Sequence, residues 1–203
     1  MQTELLGPNG NPILAKGASN GEALVRQAGG SYEEAVNRGN VYMVANQTGV
    51  ATQAGLSATT PVLTLANPAG SGVKGILWYA GVTFLVVFAA AAAVWVAVGT
   101  VVTDAAVTGT LTTAHRNAKL GTGVGNKIKA FLAATLPSAP VGISLLGAGL
   151  TGAITTFPAI PTLERWFNGA IILLPNTNVS IQTSTVSGAA AALCEFIWEE
   201  VPV

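Results

Sequence analysis

The stretch from Ile76 to Val102 reads ILWYAGVTFLVVFAAAAAVWVAVGTVV and carries no charge. Its charged neighbours are Lys74 before it and Asp104 after it. Wherever this run goes, it must leave water, so it constrains the fold more than any other segment. A membrane helix needs about 20 apolar residues, and by length the run qualifies. Its composition argues otherwise. Val82, Thr83, Val86, Val87, Val94, Val96, Val98, Thr100, Val101 and Val102 are β-branched and suit a pleated surface. Gly75, Gly81 and Gly99 punctuate the run as strand bends do. Trp95 falls deep inside it, away from where an aromatic belt would sit. Neither flank carries a Lys/Arg excess. The run therefore reads as two long buried strands, Val73 to about Val87 and about Ala93 to Val102. An alanine-rich turn would join them as a hairpin.

The remainder of the chain supplies partners for such strands. Val41 to Val50, Pro61 to Ala66, Lys127 to Leu132 and Val141 to Leu146 are short apolar or alternating runs. Leu163 to Phe167 alternates, Asn168-Gly169 is a hairpin signal, and Ala170 to Leu174 reads as the returning strand. Val179 to Val186 alternates cleanly, and Ala192 to Trp198 closes the sheet. Turn clusters such as Asn67-Pro68-Ala69-Gly70-Ser71-Gly72 separate these runs. Residues 104–126 read as a loop region in which Thr112 to Lys119 holds at most one helical turn. Over residues 73–200 the pattern predicts about eight strands. The expected fold is all-β: an eight-stranded antiparallel β-sandwich, jelly-roll-like, over residues 41–203.

Residues 1–40 differ. They are polar and glycine-rich, with Leu5, Leu6, Ile13, Leu14, Leu24, Val25 and Val36 scattered among them. That is too little apolar surface for a second core. Ser19 with Glu22, and Ser31 with Glu34, have capping-box spacing, and Gly29-Gly30 and Gly39 act as stops. Two short helical segments, Ser19–Ala28 and Ser31–Arg38, are expected to form when this N-terminal arm meets a partner. The beginning MQTELLGPNGNP has no basic region followed by an apolar run, so no secretory signal is expected.

Composition limits function. Of the 203 residues, 50% are hydrophobic and only 9% are charged. About a quarter is ordinary for a soluble domain, so a lone monomer would be poorly soluble and self-association is expected. The formal net charge is zero, which gives no pull toward nucleic acid or an anionic membrane. Cys194 is the sole cysteine and His115 the sole histidine, so an intrachain disulfide and a two-histidine metal site are both excluded. Cys194, among Leu193, Phe196 and Ile197, reads as a core thiol, and His115 as a surface residue. Glu33-Glu34 and Glu199-Glu200 read as exposed charges. Within a strand, Glu199 and Glu200 face opposite ways and cannot share a substrate. Gly121 to Gly125 lacks the Gly-Lys-Ser/Thr of a phosphate loop. Trp78, Tyr79, Trp95, Trp166 and Trp198 read as core aromatics in preference to a sugar-stacking platform. Arg116, Lys119, Lys127 and Lys129 form the one basic cluster, either a solvated face or a docking surface for an acidic partner. No catalytic residue, cofactor or metal is expected.

Several segments together carry a resemblance: VYMVANQTGVATQAGLSATTPVLTLANPAGSGVKGILW, the alanine-rich run, NGAIILLPNTNVSIQT and the terminal FIWEEVPV. The set, spread over about residues 40–203, resembles the small virion proteins that decorate or cement the capsid shell of tailed bacteriophages. The resemblance implies a jelly-roll or similar β-sandwich, a homotrimer and a place on the capsid surface after assembly in the host cytoplasm. The implied partner is the major capsid protein, with no nucleic acid and no membrane. It names no functional residues. The arm's apolar residues and the basic cluster are therefore the candidate partner contacts. The alternative is a tail-fibre or receptor-binding β-sandwich.

Overall fold

The computed structural model describes residues 5–6, 12–13, 16–17, 23–24, 32–85, 92–99, 107–112, 114–149, 162–186 and 192–203. The chain divides into two compact units, Met1–Glu34 and Ala35–Val203. In the first, β1 (Leu5–Leu6) pairs with β2 (Pro12–Ile13), and β3 (Lys16–Gly17) pairs with β4 (Ala23–Leu24). Ala23 and Leu24, within the segment Ser19–Ala28 for which a helix is expected on contact with a partner, are strand residues here. Each two-residue pairing satisfies backbone groups locally without a long apolar face. The second helical segment is present as α1 (Glu33–Asn37).

The second unit is all-β, with two antiparallel sheets. Its strands are β5 (Val41–Ala45), β6 (Leu63–Asn67), β7 (Val73–Phe84), β8 (Ala92–Val98), β9 (Thr108–Leu111), β10 (Arg116–Asn117), β11 (Lys129–Thr135), β12 (Val141–Gly149), β13 (Leu163–Leu173), β14 (Thr177–Thr183) and β15 (Ala192–Pro202). One sheet runs β10-β5-β15-β7-β13 and the other β12-β8-β14-β6-β11-β9. β5 pairs with β15, β6 with β14, β7 with β13 and β8 with β12. The two inner faces share one core, in which Leu77, Val82, Phe196 and Trp198 of the first sheet meet Leu63, Leu65, Val96 and Ile181 of the second, with Ile128 just before β11.

Three sequence expectations change here. The long apolar run is not a hairpin. β7 and β8 lie in different sheets, and the chain passes from one to the other between Phe84 and Ala92. Both strands still bury their apolar faces, because the need for burial does not specify which partner provides it. The Asn168-Gly169 hairpin is also absent, since β13 is one strand. Trp166 pairs with Tyr79 and Ile171 with Leu77, so the residues between are looped out as a bulge. Asn168 (φ 49°) and Gly169 (φ 86°) take the left-handed conformation that a tight turn would also have used. Finally, Thr112 to Lys119 has no helical turn among its described residues, because β10 lies there instead. The short edge strands β9 and β10 and the continuous β13 account for the difference between the expected and observed strand sets.

A second bulge explains why β7 does not alternate. Tyr79 pairs with Ile197 and Leu77 with Trp198, which leaves Trp78 as an extra residue. The phase change turns both Leu77 and Ala80 inward, and each is fully buried. β15, by contrast, alternates cleanly: Ala192, Cys194, Phe196, Trp198 and Glu200 are buried, and the residues between them are half-buried. It lies at the centre of its sheet and does not close an edge. Two buried asparagines tie loops to strands. Asn46 Nδ2 donates to the carbonyls of Thr48 and Ala192, and Asn67 Nδ2 to those of Val73 and Leu173. The β5–β6 connection is hydrogen-bonded to β14. Ser57 and Gln182 exchange hydrogen bonds there, and Thr183 Oγ1 donates to Gln53 O at 2.7 Å.

No helix among the described residues is long and apolar enough to cross a membrane. Far-ultraviolet circular dichroism of the detergent-free protein is expected to be sheet-dominated, and a helical double minimum would contradict this fold. Leu65 is fully buried between the sheets. Leu65→Ala should cost about 2–5 kcal/mol in chemical denaturation, and an unchanged midpoint would remove Leu65 from the shared core.

Candidate functional site

The basic cluster divides when it is folded. Arg116 is on the edge strand β10, where it pairs with Met43 on the outer face of the five-stranded sheet. Lys119 follows that strand, and its Nζ donates to the carbonyl of Asn37 at 2.9 Å. Lys127 is exposed at the far end of the same connection. Lys129 is on β11, opposite Ala66 in the other sheet. The four cations are therefore not one patch. Lys119 and Lys127 bracket a glycine-rich loop, with Arg116 and Lys129 on the strands that carry it. His115 is half-buried, not a plain surface residue, with Nδ1 at 3.1 Å from Thr112 O.

The loop itself, residues 118–128, is the feature that charge counting missed. Leu120 is 83% exposed, the highest value among the exposed large hydrophobic residues that are described, and Val124 is 45% exposed. The base is held on both sides. Ala118 N donates to Val41 O, Lys119 N to Asn117 Oδ1, and Asn117 Nδ2 to Gly39 O. Thr122 N donates to Lys119 O to form a turn, and Gly121 supplies its positive φ of 86°. On the returning side, both carboxylate oxygens of Glu200 accept from Lys127 N at 3.0 and 2.8 Å. Oε1 also accepts from Ile128 N at 2.9 Å and from the Trp198 indole at 3.2 Å.

Glu200 therefore corrects the reading of Glu199-Glu200 as exposed charges. Glu200 is 6% exposed and Glu199 is half-buried. Burial pushes the Glu199 carboxyl up, and nearby Arg38 opposes that shift. The signal for Glu200 was present in the sequence. A period of two from Phe196 through Trp198 places Glu200 on the core face. A carboxylate there is tolerable because three N–H groups satisfy it.

The outer face of the five-stranded sheet carries a second feature. The register aligns Arg116, Met43, Ile197, Tyr79 and Trp166 across five strands, with Ala45, Glu195, Gly81 and Glu164 in the next row. The Tyr79 ring lies over Gly81, where an added Cβ would come within 2.6 Å of its hydroxyl oxygen. That hydroxyl donates to Glu164 Oε2 at 2.7 Å. Burial pushes the Tyr79 phenol well above its ordinary range, and the carboxylates of Glu164 and Glu195 add to the effect. Trp166 packs on Tyr79 with ring centroids 4.9 Å apart and remains 50% exposed. Of the aromatics expected in the core, Trp198 is there; Trp78 and Tyr79 are buried but lie outside that core, Tyr79 on the outer face, while Trp95 is half-buried and Trp166 is a surface aromatic. Cys194 is buried, which pushes its thiol far above the usual range.

Of the arm candidates, Leu5 and Leu6 lie on β1, Ile13 on β2 and Leu24 on β4, while Leu14 and Val25 lie outside the described residues. Val36 is half-buried on α1. Residues 35–40, assigned from sequence to the arm, belong to the sandwich unit. The carbonyls of Asn37, Gly39 and Asn40 accept from Lys119, Asn117 and Glu200. No group of three or more His, Cys, Asp or Glu that could hold a metal occurs among the described residues. Compared with protein-family models, curated proteins and solved structures, the chain gives no match.

Replacing Glu200 by Ala would leave three N–H donors without their acceptor, at an expected cost of about 3 kcal/mol. The same change should expose the 118–128 loop to proteolysis, while Glu200→Gln, which keeps one acceptor oxygen, should show a smaller effect. Equal protease resistance in all three proteins would show that the carboxylate does not hold the loop.

Proposed function

We propose that the protein is a structural virion protein that decorates and stabilises a bacteriophage capsid shell as a homotrimer, with a jelly-roll sandwich as its body. The strand pairing supports the jelly-roll part. If β5–β8 and β12–β15 are taken as eight successive strands, the first pairs with the eighth, the second with the seventh, the third with the sixth and the fourth with the fifth. A chain folded back on itself in this way and then rolled up is a jelly roll. β9, β10 and β11 are then additions at sheet edges.

The observation that carries the assembly reading is the exposed apolar surface of β12. This strand is at the edge of its sheet, and Val141, Ile143 and Leu145 on it are 51%, 48% and 57% exposed. Together with a 9% charge content, such a surface favours association with copies of the same chain. The number three comes from the resemblance to capsid decoration proteins. In this reading the 118–128 loop and residues 1–34 are the contacts to the shell. Leu120 seats in an apolar socket of the coat protein, and Lys119 and Lys127 meet its carboxylates.

One observation favours the alternative, a tail-fibre or receptor-binding sandwich. It is the half-exposed Trp166 beside Tyr79 and Glu164, a combination suited to stacking on a sugar and accepting its hydroxyls. Copy number separates the two, because a shell protein is present in hundreds per particle and a tail-tip protein in a handful. Electron microscopy of the particle with the protein labelled tests the reading directly, and density at the tail would overturn it.

Light scattering on a size-exclusion column is expected to give a trimer for the wild type. Ile143→Lys with Leu145→Lys should give a folded monomer with an unchanged circular dichroism spectrum, since both side chains are exposed on the single chain. A wild-type monomer at micromolar concentration would refute the assembly. Deleting residues 1–34 is expected to leave a folded trimer that binds shells poorly. The cut belongs at 34 and not 40, because Asn37, Gly39 and Asn40 hold the sandwich loop.

A further inference from the structure

We propose that Asn168 is a site of spontaneous covalent modification, at which the side-chain amide becomes a mixture of aspartate and isoaspartate through a cyclic imide. The reaction needs a nucleophilic backbone nitrogen directly after an asparagine, and it needs that nitrogen to be uncrowded. Gly169 provides it, because no side chain shields its N–H. The sequence has three Asn-Gly pairs, at Asn9, Asn20 and Asn168. Of these, Asn168-Gly169 is the pair among the described residues, and the structure places it favourably. Asn168 is exposed. The pairing moves from Trp166–Tyr79 directly to Ile171–Leu77, so the pair lies in the bulge and outside the register of the ladder. Neither residue has the extended geometry of a paired strand, with φ at 49° and 86°.

The chemistry balances without any external oxidant or reductant. The Gly169 nitrogen attacks Asn168 Cγ, the new C–N bond closes a five-membered imide, and the side-chain nitrogen leaves as ammonia. Water then opens the imide at one of its two carbonyls. Opening at the backbone carbonyl gives isoaspartate, and opening at the side-chain carbonyl gives aspartate. The net change is loss of ammonia and gain of water. Because the deprotonated nitrogen attacks, the rate rises with pH. The product places a carboxylate two residues from Trp166 on a chain whose formal net charge is zero. Isoaspartate also lengthens the backbone inside the bulge that sets the register of Trp166 against Tyr79.

Asn176 is an internal control. It also has positive φ, at 72°, but is followed by Thr177. The full-length folded protein is incubated at mildly acidic and mildly alkaline pH, then digested and followed by mass spectrometry with isoaspartate detection. The expected result is conversion at Asn168 severalfold faster than at Asn176, faster in alkali, with both isomers formed and both absent from Asn168→Gln. Equal rates at Asn168 and Asn176 would overturn the proposal. So would conversion that occurs only when the protein is unfolded in urea, since the native bulge would then be protective. Aspartate without isoaspartate would overturn the imide route.

Discussion

Burial of one face of the last strand is the constraint on which the sandwich depends. β15 lies between β5 and β7, and Ala192, Cys194, Phe196 and Trp198 point from it into the shared core. Trp198 and Phe196 are the largest side chains that are fully buried. The strand comes from the C-terminus, while both its neighbours come from the first half of the unit. The five-stranded sheet therefore has no centre until residues 192–202 are present. Such non-local pairing requires the loop-closure entropy to be met before the burial gain arrives, which makes folding slow relative to helical proteins of this size.

Polar residues complete this core, and they do so at the places where strands give way to loops. Asn46 caps the junction of β5 and β15: its Oδ1 accepts from Cys194 N while its Nδ2 donates to Ala192 O. Asn67 bridges β6 to the ends of β7 and β13 through Nδ2 alone, which donates to Val73 O and Leu173 O. Glu200 fixes the loop that ends in Leu120. An unmade hydrogen bond at any of these positions would cost more than an apolar residue could return, because the groups they satisfy are backbone N–H and C=O already removed from water. Rigidity is thus concentrated at the bases of loops, while their tips remain exposed. A loop pinned in this way holds the exposed Leu120 in one place.

The outer face of the five-stranded sheet shows the opposite arrangement. Gly81 gives the Tyr79 ring room to lie flat, and the hydroxyl above it is held by Glu164 with Glu195 beside it. Burial and the two carboxylates push the phenol far above its ordinary range, and its hydroxyl donates to Glu164. Trp166 then has a firm surface to pack on while half of it faces solvent. The bulge at Asn168-Gly169 ends this ordered patch.

The sequence by itself determined that the body is all-β, roughly where most strands lie, and that the uncharged run from Ile76 supplies strands, namely β7 and β8. Period-two burial and β-branched composition are local properties, and they act whatever the partner. It also contained, unread, the position of Glu200 on the core face. Only the tertiary structure decided which strands pair. β7 and β8 are adjacent in sequence and equally apolar, yet they face each other's sheets and not each other, because burial is satisfied by any apolar partner and the register is chosen globally. The same holds at Asn168-Gly169, where identical left-handed residues make a bulge because β7 is long enough to pair on both sides of it. The basic residues were grouped by sequence distance, but a strand pairing separates Lys129 from Lys119, since neighbours along a chain need not share a face once two sheets divide it.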